Sequence, residues 1–65
     1  MKIKMTNLYG LEGTEAYYRE NGDCFDFASK PEYASELTEE KVAKIMNSAD
    51  WYCKQYGASA LEIVQ

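Results

Sequence analysis

Apolar and polar residues alternate over two segments of the chain, and a third segment is mostly apolar. Ile3 and Met5 alternate with polar residues in the first, which spans residues 2–6. Residues 15–28 form a second, longer alternating segment, and residues 60–64 form a short apolar one. This period of two is typical of half-buried β-strands. We therefore expect strands in all three segments.

The segment from residue 15 to residue 28 is predicted to fold as a hairpin. Asn21-Gly22 lies near its middle, and both residues tolerate the positive φ of a type I′ turn. A turn at this pair places Glu20 opposite Asp23. Alternation then predicts a core face with Ala16, Tyr18, Phe25 and Phe27, and an opposite face with Tyr17, Arg19, Cys24 and Asp26.

The apolar spacing changes to a helical one after Thr38. Thr38 is a suitable N-cap, the two glutamates after it suit the positive end of the helix dipole, and Gly57 suits the C-terminal cap. One continuous apolar stripe predicts a single helix over residues 39–56. Its positions are Val42, Ile45, Met46, Ala49, Tyr52, Cys53 and Tyr56.

These elements predict an α+β fold in the order β-β-β-α-β. A chain of 65 residues is expected to form one small domain over residues 1–65. The predicted sheet is mostly antiparallel, with one main helix packed on one face. One helix covers only one face of such a sheet. The second face is therefore open to water or to a partner.

Composition excludes several classes of function. The net charge of −4 and the pI of about 4.6 argue against direct binding of nucleic acid. No apolar run has the roughly 20 residues of a membrane span. The first residues lack the apolar stretch of a signal peptide, so we expect a cytoplasmic protein without membrane contact.

The chain contains no histidine and only two cysteines, Cys24 and Cys53. Without an imidazole base, the Cys–His and Ser–His forms of nucleophilic catalysis are excluded. Two distant cysteines do not form a zinc site, and a disulfide is not expected in the cytoplasm. We therefore expect no catalytic residues, no metal, no cofactor and no enzymatic activity.

Charge is unevenly distributed along the chain. Residues 12–40 contain nine acidic residues against Arg19 and Lys30, whereas the remainder has five basic residues and two acidic ones. Like charges at Glu20 and Asp23 would be mildly destabilising if they faced each other, which suggests a docking role for an acidic hairpin tip. The alternative is a solvated polar edge that keeps a small protein soluble.

Trp51 lies on the polar side of the predicted helix, away from the apolar stripe. Tryptophan is enriched at binding hot spots, so we expect Trp51 to contact a partner or a second copy of the chain. The alternative is that the loop over residues 7–13 folds over it. This loop carries Leu8, Tyr9 and Leu11 and is unusually apolar for a connection.

A third candidate cluster combines Tyr9 with Tyr17 and Arg19 on the open face. Tyrosine and arginine are favoured at interfaces, and together with Lys2 and Lys4 they could also stack a nucleotide. Ordinary cross-strand packing explains the same residues equally well. The full set of expected partner-binding residues is Trp51, Glu20, Asp23, Tyr17, Arg19, Asp26 and Tyr9.

A series of short patterns over about residues 15–64 resembles small proteins of phages and mobile elements. The patterns are Tyr17-Tyr18-x-x-Asn21-Gly22-x-x-Phe25-x-Phe27, Pro31-Glu32-x-Ala34, Leu37-Thr38-Glu39-Glu40 and Glu62-Ile63-Val64. Phage accessory proteins of this kind include inhibitors of host defence, anti-CRISPR proteins among them. The resemblance implies binding to a host protein, sometimes one that binds nucleic acid. It identifies no functional residue.

The leading expectation is a non-enzymatic inhibitor that occludes or remodels a partner protein through the acidic hairpin and Trp51. Two alternatives remain open. The first is self-association as a homodimer, because a 65-residue domain gains stability by burying an uncovered face. The second is sequestration of a small ligand such as a nucleotide, although the chain lacks a glycine-rich phosphate loop.

Overall fold

The computed structural model describes residues 1–65 and contains one four-stranded antiparallel sheet with helices on one face. The strands are β1 (Lys2–Thr6), β2 (Glu15–Asn21), β3 (Cys24–Ala28) and β4 (Ala60–Val64). Their order in the sheet is β3-β2-β1-β4, so β3 and β4 are the two edge strands. The predicted α+β class is confirmed, and so is the predicted order of strands along the chain.

The core is built on β1, one of the two inner strands. The side chains of Ile3 and Met5 are completely buried, as the alternation predicts. Ile3 packs against three residues from the second half of the chain, Leu37, Val42 and Ile45. Met5 packs against Leu8 and Ala16. Full burial of side chains of this size stabilises the fold by about 1.5–3 kcal/mol each.

The expectation of one continuous helix is wrong, because Ser48 separates α1 (Glu39–Asn47) from α2 (Ala49–Tyr56). Ser48 has φ −107° and ψ 22°, which is not helical. Asparagine and serine side chains compete for backbone hydrogen bonds, so Asn47-Ser48 is a weak point in a helix. The predicted N-cap is confirmed: the Thr38 hydroxyl accepts a hydrogen bond from the Lys41 amide at 3.2 Å.

The hairpin register differs by two residues from the predicted one. Asn21 pairs with Cys24, and the turn is formed by Gly22 and Asp23. Of these two, only Gly22 has a positive φ, 63°, which is the pattern of a type II′ turn rather than type I′. A shift of two residues leaves each side chain on its original face, so the two predicted faces of the hairpin are correct.

The physical reason for this register is its cross-strand pairs. Arg19 lies opposite Asp26, and the two form an ion pair. The predicted register would have left Glu20 facing Asp23, with like charges opposed. Glu20 instead lies opposite Phe25, so the predicted pairing of Glu20 with Asp23 is wrong.

The segment before α1 covers the part of β2 that β1 does not reach. After a 3₁₀ turn at Pro31–Tyr33, the Ser35 amide donates to the Tyr18 carbonyl at 3.2 Å. The Ser35 hydroxyl accepts a hydrogen bond from the Glu20 amide at 2.7 Å. The Tyr18 carbonyl and the Glu20 amide of β2 therefore have hydrogen-bond partners on the side away from β3.

The two cysteines are free. Cys24 is exposed at the start of β3, and Cys53 is half-buried in α2. Burial raises the pKa of the Cys53 thiol, with a further contribution from the Asp50 carboxylate.

The turn geometry makes a prediction for Asn21. Because Asn21 is a strand residue whose side-chain hydrogen bond, to Asp26 at 3.2 Å, is solvent-exposed, Asn21→Thr should change the free energy of unfolding by no more than about 0.5 kcal/mol. As a control, Gly22→Ala should cost about 1 kcal/mol, because residue 22 has a positive φ. Urea denaturation measures both. A loss of more than about 1 kcal/mol in Asn21→Thr would instead favour a left-handed residue 21.

Candidate functional site

Six aromatic rings form a cluster on the helix side of β2 and β3. Phe25 is at its centre, with ring centroids at 5.1 Å from Tyr18, 5.6 Å from Tyr52 and 6.0 Å from Tyr56. Phe27 packs edge-on against Tyr56 at 5.0 Å. Burial among these rings raises the pKa of the Tyr18 and Tyr52 hydroxyls.

Trp51 extends this cluster to the surface. Its ring meets the rings of Tyr52 and Tyr56 edge-on, with centroids at 4.9 and 6.1 Å. The side chain is nevertheless 52% exposed. The loop over residues 7–13 therefore does not bury Trp51, and its expected exposure is found. Its role in binding stays a prediction.

Tyr9 is the most exposed large hydrophobic residue in the structure, at 65%. It lies in a short 3₁₀ turn, Leu8–Gly10, where Leu8 points into the core. Tyr9 has φ 58° and Asn7 has φ 59°, so both adopt the left-handed conformation. For a residue such as tyrosine this costs roughly 1–2 kcal/mol. Such strain persists only when surrounding contacts enforce it, and it is concentrated at functional sites.

Several contacts hold this loop in place. The Asn7 side chain accepts a hydrogen bond from the Gly13 amide and donates one to the Ser59 hydroxyl, both at 2.8 Å. The Gly10 amide donates to the Gly57 carbonyl at 3.1 Å. The loop is therefore attached to the connection between α2 and β4.

Two grooves lie between this loop and β3. The larger, about 370 Å³, is lined by Leu8, Tyr9, Phe25, Asp26, Phe27 and Tyr56. A smaller one of about 190 Å³ continues on the other side of Tyr9 toward Leu11 and Ala28. We call the whole region the aromatic surface. It consists of the exposed Tyr9, Leu11 and Trp51 and the half-buried Phe25, Phe27 and Tyr56.

The acidic residues are less available than their positions along the chain predict. Of the nine between residues 12 and 40, four form ion pairs. Glu20 pairs with Lys41 of α1. The others are Glu15 with Lys4, Asp26 with Arg19, and Glu36 with the amino terminus. Asp23 at the turn is the one acidic residue of the hairpin without an ion pair.

The open face of the sheet is also internally paired. Arg19 donates two hydrogen bonds to the Asp26 carboxylate, at 2.7 and 2.8 Å, and thereby lowers the pKa of that carboxyl group. Lys4 lies between Glu15 and Glu62, at 2.9 and 3.3 Å, and these contacts raise its pKa. The face that carries Tyr17 therefore offers no free cation from Arg19 or Lys4 to a phosphate.

The seven expected binding residues consequently lie in four places. Tyr9 and Trp51 belong to the aromatic surface, whereas Tyr17, Arg19 and Asp26 share the open face. Glu20 faces α1, and Asp23 lies at the turn. Sequence reasoning missed both grooves and the part that Leu11 plays in the smaller one. The unusually apolar loop was the available signal.

Comparisons with protein-family models, curated proteins and solved structures find nothing that matches this chain. The resemblance to phage inhibitors of host defence therefore stays an expectation. None of the helices combines the length and the apolar character needed to cross a membrane. The cytoplasmic location stays a prediction.

The contact between the loop and α2 makes a prediction. A Cβ atom added at Gly57, which has φ +68°, would lie 3.2 Å from the backbone of both Tyr9 and Gly10. Gly57→Ala should therefore cost about 2–3 kcal/mol of unfolding free energy, from left-handed strain and displacement of the loop.

Gly10→Ala is the matched control, because Gly10 also has a positive φ, +74°, but its Cβ would meet open space. It should cost only about 1 kcal/mol. Equal losses for the two variants, measured by urea denaturation, would contradict the tight contact at Gly57.

Proposed function

We propose that this protein is a non-enzymatic binding protein that occludes part of a partner protein with its aromatic surface. The observation that carries the proposal is Tyr9, which is 65% exposed and held in a left-handed backbone beside an apolar groove. Exposing an aromatic ring on a strained, well-anchored loop has no benefit for folding. Preformed aromatic residues are the usual anchors of protein interfaces.

The composition of the groove favours a protein over a small polar ligand. Five of its six lining residues are apolar or aromatic, and Asp26 is the only charged one. Sites for small metabolites combine an apolar wall with several converging polar groups. A nucleotide would require free cations, but Arg19 and Lys4 already bind carboxylates, and the Lys2 ammonium donates to the Pro31 carbonyl. The nucleotide-sequestering alternative therefore has no specific support.

The charge of the protein suits a basic partner surface. The net charge is −4, and the remaining unpaired acids, Asp23 among them, would speed association with such a surface. A host protein that binds nucleic acid has this chemistry. Inhibition of host defence, which the resemblance implies, belongs to the same proposal.

Self-association through the aromatic surface is the alternative to a foreign partner. Exposed Tyr9, Leu11 and Trp51 would be buried between two copies related by a two-fold axis. Sedimentation velocity over a range of concentrations separates the two cases, because a monomer at high concentration leaves the surface free for another protein.

The proposal is tested by capture from a lysate of the cells that make the protein, followed by affinity measurement with the purified partner. Trp51→Ala and Tyr9→Asn should each weaken binding by at least about tenfold, the loss typical of a hot-spot residue. Asparagine is chosen because it tolerates the left-handed backbone at position 9. Thermal melts confirm that each variant is folded.

Tyr33→Ala is the matched control. Tyr33 is 59% exposed, between the values for Tyr9 and Trp51, but it lines neither groove. Its removal should leave the affinity unchanged. Wild-type affinity in both Trp51→Ala and Tyr9→Asn, or an equal loss in Tyr33→Ala, would overturn the assignment of binding to the aromatic surface.

A further inference from the structure

The outer edge of β3 carries backbone groups directed away from the sheet. On β2, the Tyr18 carbonyl and the Glu20 amide both bond to Ser35 and so point away from β3. In an antiparallel pair, residues opposite each other direct their backbone groups either both inward or both outward. Phe27 lies opposite Tyr18 and Phe25 opposite Glu20. The amide and carbonyl groups of both phenylalanines therefore point outward from the sheet.

The outward backbone groups of β3 have no hydrogen-bond partner in the chain. No backbone hydrogen bond from a loop or cap reaches any residue of β3. The part of β2 that β1 does not reach is different, because Ser35 forms hydrogen bonds with its backbone groups. A bare strand edge is a template on which another strand can pair.

The larger groove runs beside this same edge. Phe25 and Phe27 form one wall of it, and Tyr9 stands with Leu8 and Tyr56 on the other side. The other edge strand, β4, is also unpaired on its outer side, but none of its residues lines a groove. On β3 alone, unpaired backbone groups lie next to an apolar groove. The groove is on the face of the sheet toward which every second side chain of an added strand would point.

We propose that the partner contributes an extended segment that pairs with the outer edge of β3 as a fifth strand. Alternate side chains of that segment are apolar and enter the groove between Tyr9 and Phe27. The intervening side chains lie on the open side, beside Asp26, and are polar or basic. This inference rests on the proposed function and specifies the structural element that the partner supplies.

A second copy of this chain fits the edge less well. Symmetric antiparallel pairing of two β3 strands over their full length places Asp26, with its Arg19 partner, directly opposite Asp26 of the other copy. Like charges in directly opposed positions destabilise a strand pair. A foreign segment with a polar or basic residue at that position has no such conflict.

The test uses a phage-displayed library of random 12-residue peptides as the probe, selected against the immobilised protein. Enriched peptides should show apolar residues at every second position. Their binding to soluble protein is then measured by fluorescence polarisation with matched variants of Phe25. Phe25→Ala removes the ring and keeps the amide, whereas Phe25→Pro removes both.

Phe25→Pro should bind the selected peptide at least about tenfold more weakly than Phe25→Ala, because the peptide carbonyl loses its donor. Proline at an outward-facing edge position leaves the pairing of β2 with β3 intact. If Phe25→Pro fails to fold, chemical synthesis can introduce a backbone ester at position 25. The ester removes the same N–H and retains the ring, and is compared with the wild type.

Three results would overturn the inference: no enriched peptide, enriched peptides with helical three- and four-residue spacing, or equal affinities in the variants that keep and lack the N–H. If peptides with helical spacing bind more weakly to the Tyr9→Asn and Trp51→Ala variants, only the proposed added strand would be contradicted. The proposed function would then stand with a different partner element. Peptides indifferent to both substitutions would count against the proposed function as well.

Discussion

At the end of α2, the backbone of Gly57 approaches the backbone of Tyr9 and Gly10 so closely that an added Cβ would lie 3.2 Å from both. A hydrogen bond between Gly10 and Gly57 closes the contact. This approach attaches the β1–β2 loop to the helix layer and fixes Tyr9 in the left-handed conformation. The groove depends on the same contact, because Tyr9 forms one of its sides and Phe27 of β3 forms the other.

Local patterns in the sequence predict the elements and their faces well. Alternation predicts the burial of Ile3 and Met5, and Thr38 is correctly identified as an N-cap. The hairpin register is harder, because Gly22 can occupy the first or the second place of a tight turn. The observed register contains the ion pair between Arg19 and Asp26, which lies outside the turn.

The remaining differences arise from contacts distant along the chain. The apolar stripe over residues 39–56 suits one helix or two, and the break at Ser48 accompanies the packing of Tyr52 against Phe25 of β3. The groove was not predictable because it requires the loop to meet Gly57, more than forty residues later. Charge segregation along the chain is likewise reduced in space, where Lys41 pairs with Glu20 and Lys4 with Glu15.

The exposed aromatic rings and the unpaired strand edge lie on the same side of this small domain. The open face of the sheet pairs its charges internally, whereas the helix side leaves aromatic rings exposed next to a bare strand edge. The central claim is that this surface is preformed. ¹⁵N relaxation of the backbone measures it directly: order parameters over residues 7–13 should match the rigid value of about 0.85 expected for the strands. Values below about 0.6 in this loop would contradict the account.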